Sequence, residues 1–259
     1  MKVVILCGGK GTRLREETEF RPKPMIPIGT RPILWHIMKI YAAHGFKEFV
    51  LCLGYKGDMI KEYFRNYLWN SCDATLTLGQ NANVRFHGRH DEEDWSITLA
   101  DTGLESMTAW RIKSIDRYLG NDRRFLLTYG DGVGDIAIPA AVAAHDRSGK
   151  TCTLTAVHPP GRFGELSLTD DHVAGFNEKP QTEGGYINGG FMVCERSLIA
   201  ELPDDPTVML EQGPLQKLAS SGRLGAFRHD GFWQPMDTFQ EFKLLNTLWD
   251  YGKAPWKVW

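Results

Sequence analysis

The chain opens on an unbroken apolar run, Val3-Val4-Ile5-Leu6-Cys7, that ends abruptly in Gly8-Gly9-Lys10-Gly11-Thr12-Arg13. A run without polar alternation does not suit a sheet with one wet face. It predicts a strand over Lys2–Cys7 that is buried on both sides, as in parallel sheets covered by helices. The glycines arrive too soon for the ~7–15 apolar residues of a signal-peptide core.

Beyond the glycine loop the apolar pattern alternates in period. Ile33, Leu34, Ile37, Met38 and Tyr41 recur at helical spacing, and Gly45 is placed to stop that helix. Phe49–Leu53 reads as a second buried strand, and Met59, Ile60, Tyr63, Phe64 and Tyr67 as a second helix. Ala74–Leu78 and Phe125–Tyr129 read as further strands, the latter running into Gly130-Asp131. Strands separated by helices predict an α/β fold with a parallel sheet and right-handed crossovers. Ligands of such sheets lie beyond the carboxyl ends of the strands, so Gly8 and Asp131 are expected to face one crevice. After about residue 150, by contrast, short segments broken by Pro and Gly (Thr151–Val157, Glu165–Leu168, His172–Phe176, Gly189–Cys194) predict a more mixed sheet. Helices are expected over Val208–Ser220 and Thr238–Tyr251, and the acidic run Asp91-Glu92-Glu93-Asp94 reads as a solvated loop.

Lys plus Arg number 30 and Asp plus Glu 32, a net charge of −2. That balance lacks the basic excess of a nucleic-acid partner, yet leaves room for a local cluster of cations facing a nucleotide. No stretch reaches the roughly 18 apolar residues of a membrane span, so no membrane partner is expected. Five cysteines without a CxxC pair suit a reduced, cytoplasmic setting.

The glycine loop has two readings. It is a tight turn that needs glycine for geometry alone, or it is an anion nest, with Thr12 and Arg13 adding a hydroxyl and a planar cation suited to phosphate. It matches neither GxGxxG nor the P-loop pattern. Lys23, between Pro22 and Pro24, is either an ordinary solvated lysine or a cation held on a stiff, extended strap. Asp131 reads as a turn residue before Gly132 or as a ligand, and Asp237 as a helix-dipole partner or as a ligand. Trp233 is read as a core residue. His87 and His90 lack the further ligands of a zinc set and read as polar loop residues.

Taken together, Gly8-Gly9-x-Gly11-Thr12-Arg13-Leu14, Pro22-Lys23-Pro24-Met25, Pro32-Ile33-Leu34, Tyr129-Gly130-Asp131, Glu178-Lys179-Pro180 and Asn188-Gly189-Gly190-Phe191 resemble the sugar-1-phosphate nucleotidyltransferase family. The likeness covers nearly the whole chain. Asp101-Thr102-Gly103, Ser106-Met107-Thr108, the run from Gly231 to Thr238 and the closing Gly252-Lys253-Ala254-Pro255-Trp256-Lys257 are similar to the branch that joins CTP to glucose 1-phosphate. The resemblance implies a Rossmann-like three-layer fold with a central mixed, mainly parallel sheet and a smaller C-terminal sugar-binding lobe. It implies one domain over residues 1–259, its halves about 1–135 for nucleotide and about 136–259 for sugar phosphate.

It also implies residue roles. Leu6, Gly8, Gly9, Gly11, Thr12, Arg13, Lys23, Ser106, Arg111 and Gly130 would hold the nucleotide, with Arg13 and Lys23 as the catalytic cations. Lys179, Glu178, Asn188, Gly189 and Gly164 would hold the sugar phosphate, and Asp131 and Asp237 would hold Mg2+. Gln80 is a weaker candidate for reading the base. CTP and glucose 1-phosphate are the implied substrates, a homo-oligomer the implied assembly, and deoxysugar supply for surface polysaccharide such as lipopolysaccharide O-antigen the implied role. The chemistry agrees with this parts list. A sugar phosphate oxygen is already ionised, so the reaction needs cations, a metal and backbone donors more than a strong base.

Overall fold

The computed structural model describes residues 1–80, 82–88, 92, 94–159, 165–169, 172–177 and 185–259, with the backbone alone for 165–169 and 172–177. In chain order the main elements begin with β1 (Val3–Leu6), α1 (Ile33–Ala43), β2 (Glu48–Leu53), α2 (Gly57–Arg65) and α3 (Tyr67–Ser71). A hairpin comes next, β3 (Asp73–Thr77) and β4 (Asn83–His87), then β5 (Ser96–Asp101), α4 (Thr108–Ser114) and β6 (Arg124–Tyr129). The later half supplies β7 (Gly132–Gly134), α5 (Ile138–Ser148), β8 (Cys152–Val157), β9 (Ile187–Asn188) and β10 (Met192–Glu195). It closes with α6 (Pro214–Ser220), β11 (Leu224–His229), β12 (Trp233–Pro235) and α7 (Phe239–Asp250).

The central sheet has the order β9-β8-β10-β6-β1-β2-β5, and β11 pairs with β8. β6, β1, β2 and β5 are parallel, whereas β10 runs antiparallel to β6. This is the expected mixed, mainly parallel α/β sheet. β1 lies inside it and is buried throughout. Its alternating side chains feed two cores: Val3 and Ile5 join α1 and Trp256, while Val4 and Leu6 join Ala109 and Ile112 of α4. Helix α1 ends as Gly45 implied. Gly45 (φ +86°) donates to Ala42 O and Phe46 N donates to Tyr41 O, a Schellman motif.

Several expectations need correction. Ala74–Leu78 does not join the central sheet; its residues from Asp73 to Thr77 pair only with Asn83–His87. That hairpin is amphipathic, and Leu76, Leu78 and Val84 stay exposed. Glu165–Thr169 and His172–Asn177 likewise form their own hairpin. Of the later strands, β8, β9, β10 and β11 join the central sheet, whereas β12 pairs with β7 in a separate two-stranded sheet. The helix expected from Val208 begins only at Pro214, because the preceding segment runs along the first turn of α4. There Met107 N donates to Pro206 O and Ala109 N to Val208 O, which satisfies two donors at the start of α4 from outside, and Leu210 N donates back to Thr108 Oγ1. Of the acidic run, Asp94 is exposed, but Glu92 is buried: it accepts from Trp35 Nε1 at 3.1 Å and Tyr67 OH at 2.9 Å, with Lys39 at 3.6 Å. Asp91, Glu93 and His90 lie outside the described residues, and His87 bonds Thr75 across its hairpin.

The closing segment returns to α1. Trp256 is fully buried, and with Trp249 and Trp259 it surrounds His36. His36 Nε2 donates to Ile28 O at 3.0 Å, leaving Nδ1 to accept from Trp256 Nε1 at 3.4 Å. Burial pushes the His36 pKa down to about 4. A ring neutral in the folded chain but protonated below about pH 6.5 when unfolded costs stability as pH falls from that value toward 4. The loss is about 3 kcal/mol. Urea unfolding of His36→Gln should therefore lose less stability than the parent between pH 7 and pH 4.5. An equal loss in both would exclude His36 as the source.

Candidate functional site

β1 and β6 are neighbours, with Leu6 opposite Tyr129, so the glycine loop and Gly130-Asp131 leave the sheet side by side. Leu6, Cys7, Gly8, Gly9, Gly11, Arg13, Lys23, Pro24, Ser106, Met107, Thr108, Arg111, Tyr129, Gly130, Asp131 and Met209 line one cavity of about 340 Å³. The crevice expected from strand order is present.

Two glycines of the loop are fixed by geometry. A Cβ at Gly8 would stand 2.2 Å from Arg111 Nη1. Gly11 adopts φ +62°, and a Cβ there would meet Thr18 Cγ2 at 2.8 Å. Gly9 faces open space. Among the described residues, the N–H groups of Gly9, Gly11 and Thr12 donate to no protein acceptor, so they are open to water or to an anion.

Lys23 is buried, not a solvated lysine. Pro22 is extended, but Lys23–Met25 forms one turn of 3-10 helix instead of the expected extended strap. Pro24 fits there because the first residues of a helical turn have no intrahelical acceptor for their N–H groups. Lys23 Nζ donates to Asp131 Oδ2 at 2.6 Å and also to Asp237 Oδ1. Burial alone would pull the Lys23 pKa down; the two carboxylates outweigh it and hold it above the ordinary lysine value. Arg13 Nη1 meets Asp237 Oδ2 at 2.7 Å with a side chain 70% exposed, against 9% for Lys23. Arg13 is thus the solvent-facing cation of the pair.

Both aspartates face Lys23 here, and Asp131 also stands in the turn before Gly132. The α7 N-terminus is served by a capping box, in which Glu241 N donates to Thr238 Oγ1 and Thr238 N to Glu241 Oε2. Asp237 turns its carboxylate away, to Lys23 and Arg13. Asp131, just past the end of β6, turns its carboxylate to Lys23. Two carboxylates already converging on one cation suit a hard divalent ion. No group of three or more possible ligands occurs among the described residues, so phosphate oxygens and water would complete such a shell.

Arg111 is buried and makes five hydrogen bonds, to Leu53 O, Thr102 Oγ1, Gly103 O, Gly8 O and Leu104 O. Burial lowers its pKa. It braces the loops around the cavity while lining its floor. Ser106 sits at the adjoining wall. Thr12 is exposed and outside the cavity lining, and Gln80 lies in the turn of the β3–β4 hairpin. Asn188 reaches the cavity through Tyr129, as its Nδ2 donates to Tyr129 OH at 3.2 Å, and Gly189 O accepts from Trp233 Nε1 at 2.9 Å. Gly164, Glu178 and Lys179 lie outside the described residues. The sequence reading missed Tyr129 and Met209 as cavity residues, and Glu211, which bonds Tyr129 and Thr108. Tyr129 had a signal, its place at a strand end before Gly130-Asp131.

The family model for nucleotidyl transferases matches residues 2–234. The chain belongs to the nucleotidyl transferase family. It is 52% identical over 259 residues to the glucose-1-phosphate cytidylyltransferase of Salmonella typhimurium, covering all of both chains. It is 28% identical over 256 residues to the mannose-1-phosphate guanyltransferase of Aspergillus fumigatus, covering 96% of this chain and 64% of that one. In fold it matches HddC from Yersinia pseudotuberculosis complexed with GMP-PN, with a TM-score of 0.69 at 20% identity over 96% of this chain and 99% of the other. Nucleotidyl transferases of this family typically use a divalent metal, and Asp131 and Asp237 bring two hard oxygen donors together on one cation.

Removing the buried ammonium leaves two carboxylates facing each other with Arg13 alone to balance them. Lys23→Met should cost about 3 kcal/mol and lower the melting temperature by several degrees. Millimolar MgCl2 without nucleotide should restore much of that loss in the variant and change the parent little. A melting temperature of Lys23→Met that ignores divalent ions would rule out the pair as a metal site.

Proposed function

We propose that the protein transfers the cytidylyl group of CTP to α-D-glucose 1-phosphate, giving CDP-glucose and pyrophosphate. The observation that carries this reading is the single crevice. It gathers the glycine loop, Arg13, Lys23, Asp131, Ser106, Thr108 and Arg111 around one cavity, and Asp237 pairs with Lys23 and Arg13. Full-length likeness to a glucose-1-phosphate cytidylyltransferase supports the choice of base and sugar.

A phosphate oxygen of glucose 1-phosphate attacks the α-phosphorus of CTP, and the bond from that phosphorus to the bridging β-phosphate oxygen breaks. The loop N–H groups and Arg13 hold the β- and γ-phosphates, where charge accumulates as pyrophosphate departs. Lys23 sits beside the α-phosphate. Arg111 fixes the loop carbonyls so that Leu6, Gly8 and Gly130 meet the nucleoside, with Ser106 at the base. Asp131 and Asp237 would hold Mg2+, which supplies positive charge to the phosphate oxygens when bound. Asn188 and Gly189, with Gly164, Glu178 and Lys179, hold glucose 1-phosphate, the lysine on its phosphate.

The first half of one domain thus carries the nucleotide and the second the sugar. The buried free cysteines Cys7, Cys52, Cys152 and Cys194 support a cytoplasmic location. The exposed apolar face of the β3–β4 hairpin supports a homo-oligomer. The product would feed deoxysugar synthesis for surface polysaccharide.

Pyrophosphate release should be fastest with CTP among CTP, UTP, dTTP and GTP, and should require glucose 1-phosphate. Preference for another nucleotide would reassign the base, and no release with any would leave a nucleotide-sugar sensor. Arg13→Ala should cut turnover by roughly two to three orders of magnitude. Near-normal turnover in that variant would take Arg13 out of the mechanism.

A further inference from the structure

Glu211 lies in the segment between β10 and α6, outside every motif that marks the site, yet its carboxylate joins the two walls of the crevice. Tyr129 OH donates to Glu211 Oε1 at 2.6 Å, and Thr108 Oγ1 donates to Glu211 Oε2 at 2.8 Å. Both donors line the cavity. Thr108 begins α4, one turn before Arg111 and two residues after Ser106, on the nucleotide side. Tyr129 ends β6, and its hydroxyl accepts from Asn188 Nδ2 at 3.2 Å on the side where β9 enters. Asn188 is held at its other end too, since Oδ1 accepts from Gly190 N at 3.0 Å.

We propose that Glu211 is a positioning residue that sets both substrate half-sites at once, fixing Asn188 for the sugar through Tyr129 and the first turn of α4 for the nucleotide through Thr108. This rests on the reaction proposed above. The directions of the hydrogen bonds are forced. A carboxylate only accepts, so the phenol and the threonine hydroxyl both point their hydrogens at it. The phenol oxygen is then left to accept from the Asn188 amide, which decides which way that amide faces. The Thr108 oxygen likewise accepts from Leu210 N at 2.7 Å, tying the Glu211 segment to α4. Burial and the neighbouring Glu211 charge both push the Tyr129 pKa up, so the phenol remains a donor across the working pH range. A neutral side chain at 211 could serve one of the two donors, but not both without a reversed partner.

Steady-state kinetics on the full chain, with melting temperatures, test this in four variants. Thr108→Val should raise KM for CTP and leave KM for glucose 1-phosphate within about twofold, and Tyr129→Phe should do the reverse. Glu211→Ala should raise both, each by about ten- to hundredfold, the range spanned by a hydrogen bond to a charged group. The Glu211→Ala/Tyr129→Phe double variant should raise KM for glucose 1-phosphate no further than the worse single one, because the two residues act on the sugar through one path. Glu211→Gln, nearly isosteric, keeps the assignment testable if Glu211→Ala fails to fold, and should raise one KM while sparing the other. Unchanged KM values in a folded Glu211 variant, or additive losses in the double variant, would overturn the proposal. If the parent releases no pyrophosphate from CTP, it is the reaction that fails. If the parent is active and only melting temperatures move, it is the role of Glu211.

Discussion

The ammonium of Lys23, shared between Asp131 and Asp237, ties together parts of the chain 108 and 214 residues apart. Each partner comes from a different structural cause: a proline-bracketed 3-10 turn, the end of β6 and the residue before the α7 cap. Burying such a cluster costs desolvation that Coulomb attraction repays only when the geometry is close and the charges are balanced. With Arg13 included, two cations face two carboxylates, and the balance holds without ligand. On the reaction proposed above, a polyphosphate would compete for these cations and a divalent ion for these carboxylates, so both would act on an ion cluster that already exists.

The fold serves this cluster from both faces of the sheet. The alternating side chains of β1 anchor it in two cores, so its end is held while the loop beyond it stays open to ligand. Arg111 stiffens that loop from below by holding Gly8 O, Leu53 O and Gly103 O, carbonyls at the ends of β1, β2 and β5. Three strand ends thus share one guanidinium. The absence of a side chain at Gly8 is what lets them approach it.

How much of this was legible in the sequence depends on the range of the interaction. β1, the stop of α1 at Gly45 and the strand running into Gly130-Asp131 are dictated by local pattern, and the structure agrees with them. The crevice was implied by strand order. Glu92 was not legible, because its partners Trp35, Lys39 and Tyr67 are distant in sequence and an acidic run looks solvated by default. The hairpin at Asp73–His87 has strand composition but finds no sheet edge, a fact that only topology decides. Val208–Gly213 reads as helix from its apolar residues, yet its backbone meets the open donors of α4 instead. Glu211 gave no signal at all, since its role exists only through Thr108 and Tyr129. Gly164, Glu178 and Lys179, expected at the sugar phosphate, lie outside the described residues.

The reversal of strand direction at β10 shapes how the two halves of the site meet. Had the chain continued parallel after β6, the residues entering the next strand would lie at the opposite end of the sheet from the glycine loop. Because β10 runs antiparallel to β6, the residues just before it, Asn188 to Phe191, arrive at the carboxyl end of β6, beside Tyr129. The approach is close, for a Cβ at Gly190 would stand 3.0 Å from the Tyr129 ring. Tyr129 then has the Asn188 segment on one flank and Glu211 on the other. The antiparallel strand is thus the topological condition for bringing that segment to the crevice the glycine loop opens, and the hydrogen bonds through Tyr129 join it to Glu211.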